Sequence, residues 1–558
     1  MSDIIKVQHG LARKAQSDTN HQFGHLYRII CNKEWINEAL ENVLQNKGSK
    51  TAGIDGVTKK TLKSDEARMV LIQELETELR EKRFKPSPVK RIYIPKVNDK
   101  NKKRPLGIPV VKDRVVQMLI KMVLEPIWES SFMNCSNGFR PKRRTMDCIA
   151  LLDSYINKKS KFYWVIEGDI KGAFDNIHHE TLMDILCKRI EDQKLLNLIR
   201  QFLKAGVMEN KLFHKSESGS PQGGICSPLL ANIYLHEMDK YWWEHYGGLH
   251  RKVKEKRRIE KKGNCAFIKY ADDWLLLTNG TKQEAYRLRD EFEKFLKEKL
   301  HLELSVDKTH VTHVNNGFDF LGFNIRRYVR SNDKPKMFVQ PTSKSIEKLK
   351  TKIKEMTGRK AFKDAPLLKF TALNSLLSGW ISYYRHSNVK TIAKQLDFWV
   401  NDRLVSWLKK RHRLPVRRIL KMYKKRQNGT RYNLGIADGD RIKYLYKMFD
   451  QPITKYKSRK PGNPYLNKEP IMEAVTMPEA PMLDYVWLGN ADNEIWRVIK
   501  AEVKAERGAR CELCGSRANL DLHHIKAKKR GGADSKENAQ LLCESCHIKT
   551  PTYGRQKK

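Results

Sequence analysis

Three aspartates stand where the sequence predicts the ends of buried strands. The apolar run 163–168 ends in Asp169, and apolar arms flank Asp272 and Asp273 on both sides. The second pattern is typical of a β-hairpin with its acids at the tip, although a solvated Asp-Asp turn would read the same way. A carboxylate at the end of a buried strand is costly unless it binds a cation or a donor. Carboxylates suit Mg²⁺, and two Mg²⁺ ions roughly 3.5–4 Å apart can activate a hydroxyl and stabilise a leaving pyrophosphate.

A second set of residues with metal chemistry lies near the C-terminus. Two Cys-x-x-Cys pairs are formed by Cys511, Cys514, Cys543 and Cys546. This spacing predicts a closed tetrahedral Cys₄ site for Zn²⁺ rather than a pair of disulfides. The tail of about sixty residues has a small core, so a structural metal would contribute to its folding. A zinc finger that binds DNA without cleaving it is the alternative interpretation.

The net charge predicts a polyanionic partner. Lys and Arg number 109 against 64 Asp and Glu, which gives a formal net charge of +45. Contacts with phosphate groups would relieve the self-repulsion of so many positive charges. The alternative interpretation is a soluble basic protein with no polyanionic partner. The sequence contains no run of eighteen apolar residues, so we expect no transmembrane helix. Residues 1–16 lack the apolar core of a signal peptide. We therefore expect an intracellular protein without a membrane partner, cytoplasmic and nucleoid-associated in a bacterium, or organellar.

The elements that position these residues follow from hydrophobic periodicity. Residues 1–85 have a helical pattern, and from 91 to 323 short β-rich runs alternate with helical ones. A helical region follows, and residues 401–460 carry nineteen Lys and Arg against four Asp and Glu, with tyrosines among them. Basic helices with interleaved Tyr suit phosphate contact and base stacking. Two proline-bearing stretches near 461 and 478 are predicted linkers.

Several motifs now carry a family resemblance. Tyr270-Ala271-Asp272-Asp273 resembles the catalytic box of reverse transcriptases, in the form typical of group II intron-encoded proteins. Motifs 104–109 and 137–141 are similar to the family's fingers motifs, and 317–323 is similar to its primer grip. The loop 219–224 resembles the nucleotide-pocket loop, with Ser220 where threonine is usual. The resemblance spans nearly the whole chain in the family's order.

This resemblance implies roles for individual residues of a polymerase centre. Asp169 and Asp272 would bridge two Mg²⁺ ions, with Asp273 assisting. Phe174, five positions after Asp169, would be the steric gate that selects dNTPs. The remaining substrate-binding residues are the triphosphate ligands Lys96 and Arg104, the loop amide of Gln222, and Lys308, which would protonate pyrophosphate.

The C-terminal tail resembles HNH (ββα-metal) endonucleases. By position, His524 would be the general base that activates water, and Asn538 would orient it. His523 and His547 would hold a single divalent ion such as Mg²⁺. Many relatives carry a further His or Asn ligand four residues after the His547 position, where this chain has Pro551.

The resemblance implies a multidomain α+β fold: a right-hand polymerase with an α-helical thumb, a basic DNA-binding segment and a small ββα-metal domain. Its expected parts are an N-terminal extension with the start of the fingers (1–85), fingers and palm (86–328), thumb or maturase domain (329–440), DNA-binding segment and linker (441–495), and HNH endonuclease (496–558). The expected function is RNA-directed DNA synthesis for a group II intron, with intron RNA binding that aids splicing and HNH nicking of target DNA. A splicing factor with decayed catalysis and a defence or diversity-type reverse transcriptase are the alternatives, and a viral RNA-dependent RNA polymerase is disfavoured by Phe174.

Overall fold

The computed structural model describes residues 3–96, 99–157, 162–209, 212–214, 219, 223–305, 308–328, 336–358, 361–362, 364–427, 431–456, 462–466, 503, 506–516, 520–525, 537–543 and 546. It has two compact units, Met1–Val339 with Tyr456–Ala480, and Gln340–Lys455 with Pro481–Lys558. Across the described part of the chain, no helix has both the length and the apolar character needed to cross a membrane.

Helices and strands alternate through the first unit, and helices dominate the start of the second. The α-helices are α1 (Asp3–Ser17), α2 (Leu26–Ile30), α3 (Lys33–Gln45), α4 (Asp65–Arg80), α5 (Val111–Glu129), α6 (Thr145–Ile156), α7 (His179–Cys187), α8 (Gln193–Lys204), α9 (Ser227–Trp242), α10 (Arg251–Ile259), α11 (Lys282–Leu300), α12 (Ser343–Met356), α13 (Pro366–Tyr384), α14 (Lys390–His412) and α15 (Val416–Tyr423). The strands are β1 (Val89–Lys96), β2 (Asp99–Ile108), β3 (Trp164–Asp169), β4 (Val207–Glu209), β5 (Leu212–His214), β6 (Cys265–Tyr270), β7 (Asp273–Thr278), β8 (His310–His313), β9 (Phe318–Phe320), β10 (Phe323–Tyr328), β11 (Lys336–Pro341), β12 (Lys424–Gln427), β13 (Arg431–Asp438), β14 (Arg441–Tyr444), β15 (Asp521–His524) and β16 (Ala539–Leu542).

The helical prediction for the first 85 residues is confirmed. Helix α3 begins at the cap Asn32, whose side chain accepts hydrogen bonds from the backbone N–H groups of Glu34 and Trp35. Its apolar stripe, which includes Trp35 and Leu40, is buried where α3 packs against α5. Helix α5 is almost entirely buried, because α1, α2 and α9 also contact it. The resulting core continues from these helices to the strands that carry the aspartates.

Those strands form a four-stranded antiparallel sheet in the order β6-β7-β3-β8, here called the carboxylate sheet. The predicted hairpin is confirmed: β6 and β7 pair up to Tyr270 and Asp273, leaving a two-residue turn. In that turn Ala271 has a φ of 57°, in the left-handed region that two-residue hairpins use. Gly168 lies beneath the Trp274 indole, since a Cβ at position 168 would come within 2.1 Å of the ring. Glycine thus lets Trp274 pack flat beside Asp169.

A second sheet of this unit has the order β2-β1-β4-β5. Strands β1 and β2 are antiparallel, so Lys96 and Arg104 lie on adjacent strands that pair around residues 94 and 104. The side chains of both residues lie outside the described part of the chain. Strands β9, β10 and β11 form a third sheet, in which the 317–323 motif supplies β9 and the turn into β10.

The second unit corrects the expectation that the basic residues 401–460 lie on helices. Helices α12 to α15 are present, but residues 424–444 form a three-stranded antiparallel sheet in the order β12-β13-β14. The physical reason is turn chemistry: Gly439, at a φ of 62°, closes the two-residue turn between Asp438 and Arg441. The expectation that the tyrosines of 401–460 stack on bases is wrong for Tyr423. Its side chain is buried beside His412 and is not available for base stacking.

The C-terminal residues form a small module of their own. Strands β15 and β16 pair antiparallel, with His524 opposite Ala539. Its core includes Val503, Leu522, Leu541 and the cysteines Cys511 and Cys543. Because few apolar side chains are available here, a metal that joins the cysteines would add substantially to the stability of the fold.

Candidate functional site

The carboxylate sheet brings the three predicted aspartates to one edge. Asp169, the last residue of β3, pairs directly with Asp273, the first residue of β7. Residues opposite each other on antiparallel strands have Cβ atoms about 4.5–5.5 Å apart and share a face. Asp272 directly precedes Asp273, in the turn that joins β6 to β7. The side chain of Asp169 is 28% exposed and Asp273 is exposed, so this edge is open to a ligand.

The carboxylate of Asp169 already takes a cation from the protein. Lys308 Nζ donates to Asp169 Oδ2 at 2.7 Å, and the Lys308 side chain is 66% exposed. The backbone supports this pair, because Ser305 N–H donates to the Asp169 carbonyl at 2.8 Å. An exposed ammonium is readily exchanged for a metal ion. The donor chemistry and the stand-in cation therefore fit a divalent metal here, and Lys308 is within reach of it.

The segment 135–139 packs against the back of the hairpin turn. Lys269 N–H donates to the Cys135 carbonyl at 2.7 Å, and Asn137 N–H donates to the Lys269 carbonyl at 2.9 Å. A Cβ on Gly138 would lie 2.2 Å from Ala271 N and 2.8 Å from the Tyr270 carbonyl carbon. Only glycine allows so close an approach of two backbones. Gly138 thus touches the turn that presents Asp272.

Arg140, in the same motif, has a structural role. Its guanidinium forms a buried ion pair with Glu129 at 2.6 Å, with both side chains 2% exposed. It also donates to the carbonyl oxygens of Met133 and Ser136 at 2.7 Å. Arg140 therefore fixes the loop that carries Gly138, and it is not available to a substrate.

Phe174 follows β3 and lies five residues after Asp169. Its ring packs edge-on against Phe139, with ring centroids 6.1 Å apart. The loop that precedes α9 contacts this region closely: a Cβ on Gly219 would meet the Asp175 carbonyl at 2.6 Å, and one on Gly223 would meet the Gly107 carbonyl at 2.2 Å. Gln222, between these two glycines, lies outside the described residues.

The cysteine cluster has the geometry of a metal site. The sulphur atoms of Cys511, Cys514, Cys543 and Cys546 all lie within 4.8 Å of one another. Among the described residues, no other cluster of three or more His, Cys, Asp or Glu side chains has its ligand atoms this close together. Cys514 Sγ and Cys543 Sγ are 3.5 Å apart. Tetrahedral Zn²⁺ with Zn–S bonds of about 2.3 Å requires sulphur separations of about 3.8 Å. The four cysteines therefore fit a structural zinc ion.

Local electrostatics also favour metal binding at this cluster. Desolvation opposes ionisation of Cys511, but backbone N–H groups of Cys543, Leu513 and Cys514 lower its pKa to about 6. Interaction with the Cys514 thiol raises the pKa of Cys546 to about 12. Four thiols at this spacing cannot all lose their protons without a cation among them, and a divalent ion supplies that charge.

The predicted nuclease residues lie on and beside the β15–β16 hairpin. His523 is 8% exposed on β15 and pairs with Gln540. Asn538 directly precedes the partner of His524, and its carbonyl accepts from Ile525 N–H at 3.0 Å. The pairing of β15 with β16 thus brings the backbones of His524 and Asn538 close together. The side chain of His524 and the whole of His547 lie outside the described residues.

Three stretches of the chain match models of known families. Residues 94–325 match the model for "Reverse transcriptase (RNA-dependent DNA polymerase)", residues 346–425 match "Group II intron, maturase-specific domain", and residues 511–550 match "HNH endonuclease". Protein YkfC of Escherichia coli is 39% identical over 342 residues, which cover 58% of this chain and 88% of that protein. The chain belongs to the group II intron-encoded reverse transcriptases. It is a reverse transcriptase and maturase with an HNH endonuclease domain.

Two further relatives extend the similarity over almost the whole chain. The group II intron-encoded protein LtrA of Lactococcus lactis subsp. cremoris is 28% identical over 635 aligned positions, which cover 98% of this chain and 99% of that protein. An uncharacterised 91 kDa protein in the cob intron of Schizosaccharomyces pombe is 26% identical over 610 positions, covering 94% and 69% respectively. The alignment with the Lactococcus lactis protein therefore spans almost the full length of both chains.

Some residues that shape the site were not found by reasoning from the sequence. Gly138, Lys269, Asn232 and Asp239 each contact the hairpin or the loop behind it. The available signal was Lys269 itself, a charge inside the apolar run 265–270, where a buried strand ought to exclude it unless the charge is paired.

Proposed function

We propose that the edge of the carboxylate sheet is the polymerase centre of a right-hand fold, with Asp169, Asp272 and Asp273 as ligands of two Mg²⁺ ions. Bound there, the metals would lower the pKa of the primer hydroxyl and neutralise charge on the leaving pyrophosphate. The single observation that carries this proposal is the register that sets Asp169 opposite Asp273, next to Asp272 in the β6–β7 turn. Lys308, which donates a hydrogen bond to Asp169, would give a proton to the pyrophosphate as it leaves.

The substrate of this centre is proposed to be a dNTP paired to an RNA template. Lys96 and Arg104, on the paired strands β1 and β2, would bind the triphosphate, since cations there offset its charge. Gln222 would contact the nucleotide from the glycine-rich loop. Phe174 would lie under the sugar and exclude a 2′-hydroxyl.

Primer extension on an RNA template tests this assignment of Phe174. We expect the Phe174→Ala variant to incorporate ribonucleotides at least about 10-fold more efficiently relative to dNTPs than the wild type, because a cavity replaces the ring. Phe162→Leu, a buried aromatic away from the carboxylates, is the matched control and should keep the wild-type ratio. An unchanged ratio in Phe174→Ala would remove the steric-gate role.

We further propose the domain boundaries 86–328 for fingers and palm, 329–440 for the thumb, 441–495 for a DNA-binding segment with linker, and 496–558 for the nuclease. The second unit is suited to intron RNA and target DNA by its charge. Arg417 and Arg418 are exposed on α15, opposite the buried Ile419. Tyr432 is 58% exposed, with Lys424 Nζ 5.0 Å and Arg426 Cζ 5.6 Å from its ring centroid. An exposed ring near two cations could stack on a base while the cations contact phosphate.

The C-terminal module is proposed to nick one strand of target DNA, so that the new 3′-hydroxyl primes reverse transcription. His524 would take the proton from the attacking water, Asn538 would orient His524, and His523 with His547 would hold one divalent ion. Strand β15 supports this assignment, because it carries His523 and His524 in succession and pairs with β16, whose first residue Ala539 directly follows Asn538.

A nicking assay on duplex target DNA, with the ribonucleoprotein assembled from full-length protein and intron RNA, tests the nuclease assignment. We expect His524→Ala to abolish nicking while leaving primer extension on an annealed template intact. Asp272→Ala should give the opposite result, nicking without extension. If wild-type protein extends primers but never nicks, the module is a DNA-binding zinc finger and the endonuclease proposal is wrong.

A further inference from the structure

A fully buried ion pair lies directly behind the aspartate hairpin. Lys269 is 0% exposed on β6, three residues before Asp272. Its Nζ lies 2.9 Å from Asp239 Oδ1, in helix α9, and donates to the Leu235 carbonyl at 2.7 Å. Asp239 is 0% exposed and accepts a hydrogen bond from His236 Nδ1 at 3.1 Å through its other oxygen. The two opposite charges thus lie in contact in the interior.

A pair so deeply buried is poorly explained by stability alone. Removing two charges from water costs several kcal/mol each, and well-packed apolar residues often replace such pairs without loss. The Lys269 charge nevertheless holds the pKa of Asp239 below its usual range against the effect of desolvation. Desolvation also lowers the pKa of His236, so the imidazole is a neutral donor to Asp239 at ordinary pH. Asp239 is therefore ionised, and its ion pair with Lys269 joins strand β6 to helix α9.

Helix α9 joins this pair to the rest of the site. Asn232, His236 and Asp239 occupy one buried face of the helix, at the spacing of successive turns. Asn232 Nδ2 donates to the Gly138 carbonyl at 2.7 Å, and Gly138 contacts the hairpin turn. The helix begins at Ser227, immediately after the glycine-rich loop, whose Ile225 N–H donates to Gln117 at 2.7 Å. One rigid element therefore contacts the hairpin, the Gly138 segment and the loop.

Resting on the polymerase function proposed above, we infer that Lys269 is a positioning residue: its ammonium fixes the aspartate hairpin to helix α9, which carries the nucleotide loop at its N-terminus. The backbone of Lys269 adds the third side of this arrangement, through its hydrogen bonds to Cys135 and Asn137. Loss of the ammonium would let the hairpin shift relative to the loop. A shift of about 1 Å at a reacting centre costs on the order of 100-fold in rate.

The test separates position from stability with a neutral pair in the full-length protein. Lys269→Met alone leaves a buried carboxylate unpaired and is expected to lower the melting temperature. The double variant Lys269→Met/Asp239→Asn removes both charges while an amide still accepts from His236. We expect it to melt within about 3 °C of the wild type. Its kcat for dNTP incorporation should nevertheless stay at least about 10-fold low, with KM for dNTP changed much less. Lys299→Met, an exposed lysine on α11, is the control.

A second readout does not depend on activity. Mn²⁺ binding, followed by electron paramagnetic resonance and referenced to Asp272→Ala/Asp273→Ala, should weaken by at least about 5-fold in the folded double variant, because its carboxylates are no longer held together. A double variant with wild-type kcat and wild-type Mn²⁺ affinity would overturn the positioning role. If the double variant melts well below the wild type, Lys269→Arg becomes the deciding variant. Its retained charge should keep kcat within about 3-fold of wild type. A folded Lys269→Arg protein as slow as Lys269→Met would contradict the proposal. Wild-type protein that binds Mn²⁺ but incorporates nothing would instead count against the polymerase function.

Discussion

Replacement of Gly138 by alanine is the sharpest perturbation of the aspartate hairpin that leaves every carboxylate in place. The new Cβ would lie 2.2 Å from Ala271 N and 2.9 Å from Ala271 Cα. Non-bonded atoms of this kind settle at about 3.5 Å, so the two backbones must separate by about 1.3 Å. Because backbone atoms cannot rotate away, the turn that holds Asp272 moves as a whole. A displacement of this size predicts a loss in kcat of about 100-fold.

Single-nucleotide incorporation on an RNA template, measured under saturating dNTP, gives the kcat that this prediction concerns. Thermal melting of the same samples reports whether the fold is retained. Gly10→Ala is the matched control, because its Cβ would meet nothing within 4 Å in helix α1. Alanine there is expected to stabilise the helix by about 1 kcal/mol and to leave kcat unchanged. A folded Gly138→Ala protein with wild-type kcat would refute the claim that this contact sets the position of Asp272.

Three further outcomes follow from the geometry. Cys511→Ser should lose about one zinc per chain by elemental analysis and expose residues near 503–546 to protease, with primer extension retained; full zinc content would contradict the Cys₄ site. Lys308→Met should lower the Mg²⁺ concentration at half-saturation by at most about 5-fold, since an exposed ion pair is worth about 0.2–1 kcal/mol, and it should also lower kcat. A higher Mg²⁺ concentration at half-saturation would contradict competition at Asp169. Burial raises the pKa of Asp113 to about 7, although Ser87 N–H donates a hydrogen bond to its carboxylate. The folded protein therefore binds the Asp113 proton more tightly than the unfolded chain, whose pKa is about 4, and this group stabilises the fold most below pH 4. That contribution disappears as pH rises through 7, and the melting temperature of Asp113→Asn relative to wild type should therefore rise from pH 5 to pH 8; a constant difference would contradict the shifted pKa.

The hairpin was predictable from sequence because two independent constraints coincide there. Apolar arms require buried strands, and adjacent acids can interrupt them only at a solvent-facing turn. The pairing of Asp169 with Asp273 was not predictable, because strand order and register depend on contacts between segments about 100 residues apart. The cysteine cluster was predictable for the opposite reason: the ligand spacing is local within each pair.

The sheet at 424–444 shows where the sequence reading failed. Tyr432, Leu434 and Ile436 do alternate along β13 as in a half-buried strand, but this short pattern lies among Lys and Arg residues that favoured a basic helix. Gly439 beside two aspartates was the available turn signal. Lys269 was missed because a lysine is normally solvent-exposed, and its partner Asp239 belongs to a helix thirty residues earlier in the chain. Buried polar pairs of this kind become visible only once the fold is known.

The central claim is that the edge of the carboxylate sheet synthesises DNA on an RNA template. Its most direct test is dNTP incorporation with an annealed DNA primer and Mg²⁺, comparing wild type with Asp272→Ala/Asp273→Ala. We predict steady incorporation by the wild type and none by the double variant, with equal melting temperatures, because both aspartates lie at the open end of the hairpin. Equal incorporation by the two proteins, or none from a well-folded wild type, would contradict the claim and leave RNA binding in splicing as the remaining function.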